Sequence, residues 1–203
     1  MHARARRFFA IVALSVASSG CGERTNVTSP AVAGSTAYRT VLESPTSVHV
    51  VTRNTPLPQS LSASAVIGAF GGTLSIPGAG LTVVVPAFAL TSPTQVTVTA
   101  VAGSQVAYEF EPHGTQFLVP LVVTQSLVGT SAANAGILPP SLVAGYFASL
   151  SDLNPTAGTA LISELLGTAL SADNMTTTFS VLHFSGYLIA TGNESAPDDG
   201  SPH

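Results

Sequence analysis

The segment Thr94-Gln95-Val96-Thr97-Val98-Thr99-Ala100-Val101 decides the fold. Apolar and hydroxyl side chains alternate through it, and a period of two belongs to a strand with one face on a core and the other in water. Val96, Val98 and Ala100 are assigned to the core, and Thr97 and Thr99 to solvent. The pattern repeats on both sides. Thr73 to Ile76, Leu81 to Val85, Gln105 to Phe110 and Gln116 to Leu127 are rich in Val, Leu and Thr and are separated by Gly or Pro, as successive short strands are. Such spacing predicts an all-β chain folded as an antiparallel β-sandwich. Pro86 and Pro120 mark strand ends or edges, because proline has no N–H to give a central ladder.

Further out the pattern weakens. Val48 to Arg53 predicts a short strand broken by Asn54-Thr55-Pro56, and Thr130 to Pro140 a loop of small residues. Leu142 to Leu150 holds a strand around Tyr146 and Phe147. Residues 158–170 carry both helical spacing and helix-weakening glycines and threonines, and strand is preferred. Ala172-Asp173-Asn174 predicts a hairpin turn into Thr176 to His183. The acidic tail, residues 192–203, is expected to be disordered.

The 203 residues hold one domain once the ends are set aside. All six Arg lie at or before Arg53 and Lys is absent, so no fixed positive charge follows. Of the ten acidic residues only Glu23 and Glu43 precede that point, which leaves eight carboxylates beyond it. A surface of this kind cannot neutralise phosphates, and a nucleic-acid partner is excluded. With no Trp and four Tyr, an aromatic platform for glycans is not expected either.

Residues 1–20 have the grammar of an export signal: Arg4, Arg6 and Arg7, the apolar run Phe8 to Ala17, then small residues. The run is too short for a permanent membrane span. Ser18-Ser19-Gly20-Cys21 resembles the bacterial lipoprotein box, in which the cysteine is lipidated and becomes the new N-terminus, although Ser18 stands where Leu is usual. Cys21 is the single cysteine and has no disulfide partner within the chain, which suits modification. A lipid on Cys21 would tether the protein to a membrane without spanning it. Gly22 follows in place of the Asp that retains many lipoproteins at the inner membrane, so the outer membrane of the bacterial cell envelope is the expected location, with a secreted or periplasmic protein as the alternative. Residues 21–47 read as lipidated Cys and flexible linker, and 48–191 as the folded domain. The sequons at Asn26, Asn174 and Asn193 are assigned to chance beside a bacterial signal.

Gly71-Gly72-Thr73-Leu74, Ile76-Pro77, Gly80-Leu81, Val83, Val85-Pro86, Ala89-Leu90, Val96 to Val98, Pro112-His113-Gly114, Phe117 and Pro120, in that order, resemble the ZU-five domain, a β-sandwich module of zonula-occludens scaffolds, netrin receptors and ankyrins. The resemblance runs over about residues 68–125 and implies a domain continuing to about residue 191. Phe88 departs from it, standing where the family usually has Gly, which implies a differently built turn. The glycines and prolines have architectural work in any case: Gly71 and Gly72 permit a tight turn before a strand, and Pro86 ends one.

In some ZU-five proteins and in the self-cleaving nucleoporin domain a His-Phe-Ser triplet near the domain's end cuts itself between Phe and Ser, and the resemblance places His183-Phe184-Ser185 in that position. Ser185 would attack the Phe184 carbonyl, giving an ester by N-to-O shift that water hydrolyses, and His183 would move the proton from the hydroxyl to the leaving nitrogen. In an extended strand residues two apart share a face with Cβ atoms roughly 6 to 7 Å apart, within reach of an imidazole. Amide cleavage also needs a bent backbone, which Gly186 would permit, and a donor for the oxyanion, which the sequence does not identify. In the plainer arrangement Leu182 and Phe184 face the core, and His183 and Ser185 face water.

Glu109, Glu111 and His113 alternate and offer oxygen and nitrogen to a metal, but a solvated face ending in the Pro112 turn accounts for them, and no metal or cofactor is assigned. No zinc spacing, phosphate-cradling loop or serine-hydrolase elbow occurs. The sequence thus predicts an exported, lipid-anchored sandwich serving as a structural or protein-interaction module, with single-turnover self-cleavage as the alternative.

Overall fold

The computed structural model describes residues 39–134 and 142–193. The export signal, Cys21 and the acidic tail beyond Asn193 lie outside the described residues. The strands are β1 Arg39–Val50, β2 Thr52–Leu57, β3 Leu61–Ile67, β4 Gly72–Ile76, β5 Leu81–Val85, β6 Thr94–Ala100, β7 Gly103–Gln105 and β8 Ala107–Glu111. They continue with β9 Gln116–Ser126, β10 Val143–Phe147, β11 Leu153–Asn154, β12 Thr159–Gly167, β13 Ala169–Leu170, β14 Thr176–His183 and β15 Gly186–Asn193. The one α-helix among the described residues, α1, covers Ser131–Asn134. The chain is therefore all-β, and its strand pairings are antiparallel.

One sheet runs β1-β12-β10-β15-β8-β6-β3 with β11 on β12, a second runs β13-β14-β9-β5-β4, and β2 pairs with β7. The main core lies between the two large sheets. Val96, Val98, Tyr108, Phe110 and Tyr187 come from the first and Leu74, Val83, Leu121, Val123 and Phe179 from the second, all at most a few per cent exposed. Thr97 and Thr99 face outward as expected, and their hydroxyls pair with Ser64 at 2.7 Å and Ser62 at 2.9 Å on β3. Hydroxyl ladders here take the place that ion pairs hold on charge-rich sheets.

β1 also touches β15, with Val48 opposite Asn193 and Val50 opposite Ala190. Strands β1, β12, β10 and β15 thereby close around a second, smaller core that includes Val48, Ile162, Phe147 and Leu188. Space there is tight. A Cβ on Gly145 would stand 2.7 Å from Ile162 Cγ2, and one on Gly186 would overlap the Phe147 ring.

Several boundaries differ from expectation. β1 begins at Arg39, so residues 39–47 are strand and not linker, held by pairing from Arg39 opposite Leu166 to His49 opposite Thr159. Asn54-Thr55-Pro56 does not break the chain but lies inside β2, where the register with β7 shifts and proline's missing donor costs no ladder bond. β3 was not expected, because its inward Ala63 and Ala65 give too little contrast with Ser62 and Ser64 to reveal the alternation. Pro120 sits within β9 at the register shift between Val181 opposite Leu121 and His183 opposite Gln116. Residues 159–167 are strand, as preferred. Gly71 takes φ 73° in the turn before β4, where a Cβ would run into the Val85 carbonyl. Phe88 takes φ 63°, the left-handed conformation that a glycine adopts freely.

Candidate functional site

The segment 181–187 is a crossover between sheets. β14 ends at His183 in the five-stranded sheet, and β15 starts at Gly186 in the larger one. His183 and Ser185 therefore do not share a strand face, which corrects the extended geometry expected for them. The cause is the pull of Phe184 into the core. Its ring is buried between Phe110, stacked at 5.8 Å, and Phe117, edge-on at 4.6 Å. Its backbone leaves the sheet to bond the turn after β8: Phe184 N–H donates to Thr115 O at 2.9 Å, and Gly114 N–H donates to Phe184 O at 3.1 Å. Ser185 O then accepts from Phe110 N–H at 2.9 Å and re-enters a ladder.

The plainer arrangement is corrected as well. Leu182 is 37 % exposed and Ser185 only 6 %, the reverse of what alternation in one strand gives. Gly186 makes room for Phe147 and is not among the positive-φ glycines, so it does not act as the bend.

The His183 ring is turned toward other partners. Nε2 stands 3.4 Å from Glu164 Oε2, and Nδ1 stands 3.2 Å from the Tyr187 hydroxyl. That hydroxyl also donates to His183 O at 2.7 Å. Tyr146 closes the side of the imidazole, edge-on at 5.2 Å. Glu164 in turn receives Arg39 through both oxygens, Nε to Oε2 at 2.7 Å and Nη2 to Oε1 at 2.5 Å. This is a bidentate guanidinium–carboxylate pair.

Burial by itself would push the Glu164 carboxyl up, but the hydrogen bonds and charge of Arg39, with a smaller share from His183, outweigh it and hold the carboxyl below the usual carboxylate range. Burial, followed by the negative charge of Glu164, pushes the Tyr187 phenol far above its ordinary value, so it remains a donor. A pocket of about 70 Å³ opens beside Arg39, Glu164, His183 and Tyr187, with Leu182 and Pro120 on its wall. It has room for a few waters.

Arg39, Glu164, His183 and Tyr187 come from β1, β12, β14 and β15, so the network ties the two sheets together where the chain crosses between them. The sequence reading missed Arg39, Glu164 and Tyr187. A signal was present: Glu164 is the one charge in the apolar run Leu161 to Leu166, and a carboxylate in such a run needs a cation. Glu109 and Glu111 alternate on β8 and His113 lies in the exposed turn after it, and no three metal-ligating side chains converge among the described residues. In comparisons with known proteins, no family model and no curated protein matches the sequence.

Proposed function

We propose that this protein is an exported β-sandwich of the ZU-five kind, anchored to the bacterial outer membrane by a lipid on Cys21 and acting as a protein-interaction module. The observation that carries the interaction reading is an exposed apolar patch built from two turns and the start of β9. Phe70 is 94 % exposed, Phe88 68 % and Leu118 71 %. Phe88 N–H donates to Ala69 O at 2.7 Å and Leu118 N–H to Ala89 O at 3.1 Å, so backbone bonds hold these segments together at one place. Large apolar side chains gathered in this way are costly in water unless a partner covers them. Pro86 and Ala87 lie beside Phe88 without a charge, so the partner surface they fit is an apolar protein face.

A photo-cross-linking residue at Phe70 in living cells tests this. A discrete protein adduct is expected, absent when the residue is placed at the exposed Leu161, and the captured protein should bind the purified chain and fail to bind the F70S/L118S variant. Adducts with lipid alone, or equal capture from both positions, refute the reading. Incorporation of labelled fatty acid, lost in Cys21→Ala, tests the anchor separately.

A second reading, self-cleavage between Phe184 and Ser185, is favoured by the Gly114 N–H on the Phe184 oxygen, a donor where an oxyanion would develop. It requires His183 to leave both Glu164 and Tyr187 before it can serve Ser185.

A further inference from the structure

Arg53 is the second fixed cation among the described residues, and its circumstances are the opposite of those of Arg39. It is 8 % exposed, yet among the described residues no carboxylate stands against it. Nη1 donates to Gln105 O, and Nη2 stands 3.4 Å from the Tyr108 hydroxyl. Nε makes no hydrogen bond at all. A guanidinium has five N–H groups, so three of these find no acceptor, and the buried charge no counterion, among the described residues. Such a charge is strongly unfavourable unless something compensates it.

None of the described neighbours of Arg53 carries the negative charge that would compensate it. Tyr108 lies beneath it, with the ring centroid 5.7 Å from the guanidinium carbon, and its hydroxyl is committed to Ala79 O at 3.0 Å and to the Gln125 side chain. Gln125 also gives its amide to Ala79 O at 3.1 Å and Ser126 O at 2.6 Å. Arg53 is also one of the residues that line an open pocket of about 360 Å³. No Asp or Glu among the described residues lines that pocket; its lining includes Asn54, Thr55 and Ser126 with the backbones of Gly78, Gly80 and Gly129. The volume falls in the range of small-ligand sites.

We infer that this pocket binds a small carboxylic acid, whose carboxylate pairs with the Arg53 guanidinium. One planar, singly charged fork with no second cation beside it matches a planar monoanion better than a phosphate dianion. The exposed polar side chains of Asn54 and Thr55 stand at the mouth, where they contact the remainder of the ligand.

The test uses the whole protein and four probes: propionate, N-acetylglycine, its neutral amide N-acetylglycinamide, and inorganic phosphate, at constant ionic strength. Both carboxylates are expected to shift the Arg53 side-chain N–H resonance saturably, with dissociation constants on the order of 1 mM for ligands of this size. The amide is expected to produce no shift, and phosphate a much weaker one. Asn54→Asp places a negative charge at the mouth on an exposed residue and should weaken N-acetylglycine binding about fivefold. Arg53→Gln should abolish it. Four results overturn the proposal: no saturable response to carboxylates up to about 100 dissociation-constant equivalents of the expected value, an equal response to the amide, tighter binding of phosphate, or unchanged affinity in Asn54→Asp. The last holds even if Arg53→Gln fails to fold.

Discussion

Replacing Glu164 by Gln isolates the charge that joins the two sheets. The carboxylate is 6 % exposed and receives two guanidinium hydrogen bonds, while the Arg39 side chain remains 39 % exposed. Stranding a fully buried partner would cost about 3 to 5 kcal/mol. Arg39 can turn to solvent, so the loss is nearer that of one charge-assisted hydrogen bond, about 2 kcal/mol. Urea unfolding should show the midpoint falling with an unchanged slope, and the melting temperature dropping about 4 to 8 °C. The pH dependence fixes the origin. Because the folded Glu164 carboxyl lies below its ordinary range, its contribution is fully present above the unfolded carboxylate value, near about 4.3, and is lost as pH falls through the folded value. The gap between wild type and Glu164→Gln should therefore be constant at neutral pH and close on acidification below about pH 4. A gap under about 0.5 kcal/mol, the level of ordinary surface substitutions, or one that stays open in acid, refutes the role given to this pair.

Phe88→Gly should stabilise the protein by about 0.5 to 1 kcal/mol in the same assay, since relief of the left-handed strain exceeds the entropy that glycine adds to the unfolded chain. Gly186→Ala should destabilise by about 1 to 3 kcal/mol because its Cβ enters the Phe147 ring, and Phe147→Leu in the same chain should recover part of that loss; strictly additive effects would contradict the packing. Intact-mass spectrometry after long incubation should find one chain unbroken at Phe184–Ser185, because His183 is held by Glu164 and Tyr187. A break there that Ser185→Ala abolishes would show that the network opens.

The sheet strands were readable where side chains contrast, as in Val96, Thr97, Val98 and Thr99, and unreadable where both faces are small, as in Ser62 to Ala65. Residues 39–47 escaped for another reason. Their Ser, Thr and Pro carry no period, and the strand exists because its partner β12 presents a complete edge. His183-Phe184-Ser185 was legible as a cluster but not as a geometry. Alternation describes a residue only while its strand continues, and Phe184 ends that continuity by burying its ring between Phe110 and Phe117. No local pattern announces a sheet crossover.

The two described arginines explain how a charge-poor sandwich uses the cations it has. Both lie in the N-terminal part of the domain, before a stretch of chain without fixed positive charge, and each stands at a buried charge: Arg39 covers that of Glu164, and Arg53 is itself the buried one. Arg39 meets Glu164, so its position is satisfied from within and its consequence is stability. Arg53 meets the Gln105 carbonyl and the Tyr108 phenol, which solvate a guanidinium without neutralising it. A fold needing only rigidity at that point would be served by an uncharged side chain of similar volume, since well-packed neutral replacements of buried ions are often no less stable. The burial of Arg53 in the lining of an open polar pocket therefore assigns its cost to binding, and makes the anion the missing partner of a pair whose protein half is already in place.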